Sequence, residues 1–260
     1  MSSASISQLD TSASANRPAG HLTLAIDVGG THLKAGTLAP TGTMSAGPQR
    51  VATPQPATPA AVVNALADLA GQLRPFDRIS IGFPGVVRDG RVLTAPNLGT
   101  QQWHGFPLAN TLAEKLGAPA RLENDATVQG LGVIAGRGVE CVITLGTGMG
   151  FGLFQDARPA PHLELSQHPV RGRRTYDQYI GNAALRSVGR KRWNRRVAKA
   201  IECIITLTSC DTLYIGGGNA KFIRLDLPAA VQIVSNEAGI TGGIRLWDAL
   251  PDHPIAGKAP

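Results

Sequence analysis

The run Asp27-Val-Gly-Gly-Thr-His-Leu-Lys-Ala-Gly36 puts a carboxylate at the end of an apolar stretch, directly before Gly29 and Gly30. Glycines carry no Cβ, so their backbone N–H groups can approach an anion, and Thr31 and Lys34 add a hydroxyl and an ammonium for phosphoryl oxygens. Asp27 can hold Mg²⁺ beside such a phosphate, through water, because that ion sheds its hydration shell reluctantly. The same residues also suit an ordinary Gly-rich hairpin. A second run, Leu145-Gly-Thr-Gly-Met-Gly150, offers the Thr147 hydroxyl and the backbone of Gly146, Gly148 and Gly150 as a further anion cradle. A third, Gly216-Gly217-Gly218, stands between a strand and an expected helix, where either an anion or close strand–helix packing would call for glycine. No Walker A sequence is present, so the common NTPase loop is excluded as a signature.

Glu123-Asn124-Asp125 gathers polar groups where open α/β sheets form their crevices. Asp125 can take the proton of a substrate hydroxyl as a general base; the Asn-Asp pair equally fits a plain helix N-cap. Gly82-Phe-Pro84-Gly85, taken alone, is a turn.

These residues need elements to position them. Leu22 to Asp27, the glycine pair and His32 to Leu38 predict strand, turn and strand. A Pro/Thr/Ala connector over Thr53 to Pro59 leads into a helix with Val62, Val63, Leu66, Leu69 and Leu73 at helical spacing. Ile79 to Gly82 and Arg91 to Leu93 are expected short strands, and Leu108 to Leu116 a helix ending at Gly117. Arg121 to Glu123 finishes another strand, with a helix beginning at Asn124-Asp125. From Val142 the pattern restarts: strand, Gly turn, strand, then helices over Arg195 to Leu207 and Ala238 to Leu250 around the strand Thr212 to Ile215. The two hairpins are candidate walls of one cleft. The expected organisation is a disordered tail over 1–20, an N-terminal α/β lobe over 21–123, a C-terminal α/β lobe with a basic helix over 124–237, and a C-terminal helix over 238–260 packing back towards the N-terminal lobe.

At 260 residues, 43% apolar and 17% charged, with 31 Gly and 5% aromatic, the chain can bury a core and is neither disordered throughout, fibrous nor coiled-coil. No apolar stretch reaches a membrane span, and the Ser/Ala-rich start lacks the basic and apolar parts of a signal peptide. Cys141, Cys203 and Cys210 match no disulfide framework, so a soluble, cytoplasmic protein is expected. The net charge of +7 favours a polyanionic partner without choosing one.

Taken together and in order, Asp27-Val-Gly-Gly-Thr-His-Leu-Lys, Gly82-Phe-Pro-Gly, Ala95-Pro-Asn-Leu, Trp103, Glu123-Asn-Asp-Ala, Leu145-Gly-Thr-Gly-Met-Gly and Ile215-Gly-Gly-Gly-Asn resemble the ROK family of sugar kinases and related repressors. The likeness runs from about Leu22 to Trp247. Within the family it is strongest to the polyphosphate-using glucokinases, through Leu163-Glu-Leu, His168-Pro169 and Lys191-Arg-Trp-Asn-Arg-Arg-Val197. The resemblance implies a two-lobed actin/hexokinase-type (ribonuclease H-like) ATPase fold with duplicated βββαβα units and a sugar at the hinge. It implies glucokinase activity, with Mg²⁺ and a polyphosphate or ATP donor. Asp125 matches the base for the sugar 6-hydroxyl. Asn97, Asn124 and Glu164 match sugar ligands, with Gly82, Pro84 and His168 expected beside them. Asp27, Gly29, Gly30, Thr31, Lys34, Gly146, Thr147, Gly148, Gly217 and Gly218 match the phosphate and Mg²⁺ sites. A homodimer is usual for such proteins.

The chain departs from the family in two places. Where the family commonly has Glu-x-Gly-His, this chain has Glu164-Leu-Ser-Gln167 followed by His168, and Asp177 falls near a second sugar-binding Glu. The cysteine cluster of many members is missing, so zinc is not expected. Ten of the 25 Lys and Arg residues lie between Arg171 and Lys199, against Asp177 alone. A solvated helix face is one reading. Self-repulsion in such a run is relieved by a linear polyanion, so Lys191, Arg192, Arg195 and Arg196 are expected to line a polyphosphate groove. The rival class is a sugar-responsive regulator or nucleic-acid-binding protein of the same family without kinase activity. Twenty Ser/Ala-rich residues make no helix-turn-helix, and nucleic acid is not the expected partner.

Overall fold

The computed structural model describes residues 20–235 and 238–249. Apart from Gly20, the expected tail lies outside the described residues, as does the chain beyond Ala249. The first half runs β1 (Thr23–Val28), β2 (His32–Leu38), β3 (Met44–Ala52), α1 (Pro59–Gly71), β4 (Arg78–Phe83), β5 (Val87–Arg88), β6 (Arg91–Val92), α2 (Thr100–Trp103), α3 (Leu108–Leu116), β7 (Ala120–Asn124) and α4 (Asp125–Leu131). The second runs β8 (Val139–Leu145), β9 (Met149–Gln155), β10 (Arg158–Pro159), β11 (Pro169–Arg171), β12 (Arg174–Thr175), α5 (Tyr176–Ile180), α6 (Asn182–Thr208), β13 (Thr212–Gly216), β14 (Val231–Ile233) and α7 (Ala238–Ala249).

Each half is built on a five-stranded sheet with matching order, β3-β2-β1-β4-β7 and β10-β9-β8-β13-β14. In both, an antiparallel hairpin opens the half and parallel strands follow. The duplication expected from the repeated strand, Gly turn and strand is therefore present in the topology. β1 reads Thr-Leu-Ala-Ile-Asp-Val and is buried on both faces, as a central strand flanked by a parallel neighbour should be. α1 starts where Thr58 accepts a hydrogen bond from the Ala61 N–H and Pro59 occupies the first turn, and it buries Val62, Val63, Leu66 and Leu69. Trp103 and Trp193, both fully buried, anchor separate cores behind the two sheets.

Between the sheets lie α4 and α7, packed on each other, with α7 also touching β1 and β4. Val128, Leu131, Phe154, Tyr214 and Leu246 form a third apolar cluster there. Ser80 Oγ donates to the Gly243 carbonyl at 2.6 Å, and Arg121 stacks over Trp247 at 4.4 Å while donating to the Leu246 and Trp247 carbonyls.

Several elements differ from the expectations. β3 is an exposed edge strand whose sequence, Met-Ser-Ala-Gly-Pro-Gln-Arg-Val-Ala, has no alternation to reveal it. The helix expected over Arg195 to Leu207 begins thirteen residues earlier, at Asn182, with a kink at Gly189 (φ 72°, ψ 162°); before the kink it buries only Ala184 and Leu185, with Val188 packed beside them, too short a run to reveal a helix. The helix expected after Gly218 is only a 3₁₀ turn, Ala220–Phe222, so no helix N-terminus is available to an anion there. Among the described residues, no helix is long and apolar enough to cross a membrane.

Candidate active site

β7 ends and α4 begins at the pair Asn124-Asp125. Asn124 caps the helix, its Oδ1 accepting from the Ala126 and Thr127 N–H groups at 2.9 and 3.2 Å. Its Nδ2 donates to the carbonyls of Gly85 (3.1 Å) and Phe83 (3.4 Å), and the residue is 4% exposed. Expected as a sugar ligand, Asn124 has its whole amide committed to protein partners. Asp125, next along, is partly open to solvent. Gly82 of β4 lies on one side, where a Cβ would stand 3.4 Å from the Asp125 Cα; Gly150 of β9 lies on the other, where a Cβ would press on Ala126 at 2.8 Å. The start of α4 is thus wedged between the first sheet and the second hairpin. Burial, with the nearby Asp27 carboxylate adding to it, pushes the Asp125 carboxyl up to about 7.

Glu164 faces the same space. Its carboxyl is held below the ordinary range by the neighbouring His162, against the opposing effect of burial, and by the Ser166 hydroxyl, which donates to Oε1. Gln167 Nε2 donates to Ser166 Oγ (3.1 Å) and to Asp177 Oδ2 (3.0 Å). Asp177 Oδ1 in turn accepts from the Met149 N–H at 2.7 Å, and its carboxyl is raised by burial. His168 is solvent-exposed at the end of the 3₁₀ turn Leu165–Gln167. His162, which belongs to none of the sequence motifs, is inside the cluster around Glu164: its side chain is 6% exposed and its Nε2 lies 3.7 Å from Glu164 Oε2. It also opposes the rise in the Glu123 and Asp125 carboxyls. The available signal was its position two residues before Glu164.

The glycine turns divide into two groups. At the first, Lys34 Nζ meets Asp27 Oδ2 at 2.9 Å across the β1–β2 pair, Gly30 packs against Asn97, and Thr31 is exposed. Pro84 is half-buried after β4. The second and third turns are stacked. Gly217 adopts φ 88°, and a Cβ there would strike the Leu145 backbone, so only glycine fits. Asn219 Nδ2 and the Asn182 N–H both donate to the Gly146 carbonyl, leaving Thr147 exposed; a Cβ on Gly148 would strike the Asp177 carboxylate. Gly218 has open space around it.

Among the described residues no group of three or more His, Cys, Asp or Glu side chains gathers for a metal. The residues nevertheless suit Mg²⁺, which is commonly held by one or two carboxylates together with substrate phosphates and water. Asp27, 25% exposed at its side chain, and Asp125 lie close enough for each charge to oppose the other, an arrangement a divalent cation relieves.

A groove of about 430 Å³ lies on the far side of α5, lined by Arg171 and Arg174 from the β11–β12 hairpin, Tyr179 from α5, and Arg192, Arg195, Arg196 and Lys199 from α6. Lys191, also expected, is exposed but does not line it. Arg196 is 8% exposed, stacks over Tyr179 at 5.0 Å and donates to its carbonyl. Burial, then Arg174 and Arg192, lowers its pKa, so this cationic cluster is under mutual repulsion. α5 carries Tyr179 into the groove and Asp177 onto the second Gly turn, residues on nearly opposite helix faces.

A family-wide sequence model described as the ROK family matches residues 23–161. Over 88% of its length the chain is 29% identical to a polyphosphate glucokinase from Mycobacterium tuberculosis, covering 92% of that protein. The crystal structure of an inorganic polyphosphate/ATP-glucomannokinase from Arthrobacter sp. strain KM superposes with a TM-score of 0.77 at 29% identity, over 86% of this chain and 97% of that one. A ROK family glucokinase from Streptomyces griseus, solved with glucose and AMPPNP, superposes with a TM-score of 0.73 at 20% identity, over 86% and 98%. The shared architecture is the two-lobed actin/hexokinase-type fold.

Proposed function

This chain belongs to the ROK family, and on that premise we propose that it is a hexose kinase. It transfers a phosphoryl group from inorganic polyphosphate or ATP to the 6-hydroxyl of glucose. The observation that carries the reading is Asp125, held by the Asn124 cap between Gly82 and the second hairpin with its carboxyl near neutrality. A carboxylate of that basicity takes the hydroxyl proton near pH 7. The freed oxygen attacks the terminal phosphorus, the bond to the donor's bridging oxygen breaks, and ADP or the shortened chain leaves with the electron pair.

Glu164 accepts hydrogen bonds from sugar hydroxyls, and Asn97 lies beside the first Gly turn to meet the same ligand. Asn124 serves as the clamp that aims Asp125. Thr147, Gly146 and Gly148, with Gly217 and Gly218 stacked behind them, and Thr31, Lys34, Gly29 and Gly30 opposite, cradle the donor phosphates. Asp27 would hold Mg²⁺ here, and the ion would neutralise charge on the phosphoryl oxygens. The lobes, residues 21–123 and 124–237, close to exclude water, which otherwise competes as nucleophile. The Arg groove takes the remainder of a polyphosphate chain. The reading rests also on the names of the relatives at 29% identity.

The test is an activity matrix: polyphosphate and ATP as donors, each with glucose, mannose and an amino sugar, at fixed Mg²⁺. Phosphorylation of glucose with either donor is expected; no transfer to any hexose overturns the reading.

A further inference from the structure

His162 carries both of its ring nitrogens without a hydrogen-bond partner, although its side chain is only 6% exposed. Buried polar groups are almost always paired, so a buried imidazole with two free nitrogens beside a reactive carboxylate marks a place where a ligand atom belongs. Its surroundings narrow the ligand. Glu164 lies beside it, and Glu123 and Asp125 are near enough for its charge to act on their carboxyls, which disfavours an anion and favours a neutral polyhydroxyl compound.

The hydrogen bonds about Glu164 narrow the role. The Ser166 hydroxyl is spent on Glu164 Oε1, and both protons of the Gln167 amide nitrogen are spent on Ser166 and Asp177. Of the three donors in that group, His162 alone is left for a ligand. Its Nε2 lies 3.7 Å from Glu164 Oε2, too far for a direct hydrogen bond, yet a hydroxyl oxygen between them reaches both, giving its proton to the carboxylate and accepting from the imidazole.

We propose that His162 is a sugar-binding residue, its ring N–H donating to the substrate hydroxyl whose proton points at Glu164. The inference rests on the hexose-kinase reading and adds to it the residue that sets affinity for one particular hydroxyl.

The test uses the full chain and the variants His162→Ala and His162→Asn at pH 8.5, where Asp125 is ionised. Glucose binding is measured by calorimetry without donor, and steady-state kinetics with glucose and with monodeoxyglucoses that keep the 6-hydroxyl. Loss of one hydrogen bond should weaken glucose binding and raise its KM about tenfold in His162→Ala, with kcat and the donor KM changed less than about threefold. His162→Asn, which keeps a donor, should recover part of the loss. One deoxyglucose should bind wild type about as weakly as glucose binds His162→Ala, and lose nothing more in either variant; a merely structural residue would weaken every sugar alike. Wild-type affinity for glucose in both variants, or equal losses across the whole deoxy panel, overturns the proposal while the kinase reading stands. A wild-type chain that binds no hexose overturns both.

Discussion

The Asn124 side chain spans the gap between two elements: Nδ2 donates to the Gly85 carbonyl at 3.1 Å while Oδ1 caps α4 through the Ala126 and Thr127 N–H groups. The turn after β4 and the start of α4 are thereby one unit, and Asp125 is aimed by it. Asn124→Ala removes the cap and strands a buried carbonyl, which should lower unfolding stability by about 2 to 4 kcal/mol in denaturant titration. If stability is unchanged, the bridge is not what fixes Asp125.

Asp125→Asn should keep glucose binding and reduce kcat by roughly 10² to 10⁴. In wild type, kcat/KM for glucose should fall about tenfold per pH unit below an apparent pKa near 7, because the base works only when ionised. Asp27 and Glu164 raise that value and His162 lowers it. A profile flat from pH 8 to pH 5 contradicts the assignment of the base.

The same shift makes a stability prediction of opposite sense. Asp125 is raised from 3.8 to about 7 on folding, so between those values the native state holds a proton that the unfolded chain has released. Its stabilising effect is complete below pH 3.8 and lost as pH rises through 7. Asp125→Asn cannot ionise, so its Tm should exceed that of wild type at pH 8 and the gap should close towards pH 4. A gap constant with pH would show that Asp125 is not desolvated.

For the basic groove, Arg192→Ala and Arg195→Ala should raise the KM for polyphosphate more than that for ATP, and should flatten the dependence of the polyphosphate KM on salt. Arg196 is unsuited to this test, since it also holds Tyr179. Equal effects on both donors would place the polyanion elsewhere.

Glycines, strand ends and acidic residues stand in the chain at intervals that made the duplicated sheets legible without coordinates, together with the placement of Asp27 near the end of β1, Asp125 at the start of α4 and Gly146-Thr147-Gly148 in the turn after β8. Local periodicity suffices there, because strand and helix patterns are written in neighbouring residues. Whether a side chain is free is another matter, as it depends on partners far along the chain. Asn124 is spent on Gly85, 39 residues away, and Gln167 on Asp177, while His162 is left unpaired beside Glu164. Arg171 and Arg174 join Arg192 and Arg195 only because the β11–β12 hairpin and α6 both pack on α5. The basicity of Asp125 is likewise a product of packing: desolvation by two sheets and repulsion from Asp27 exist only once the chain has closed around it.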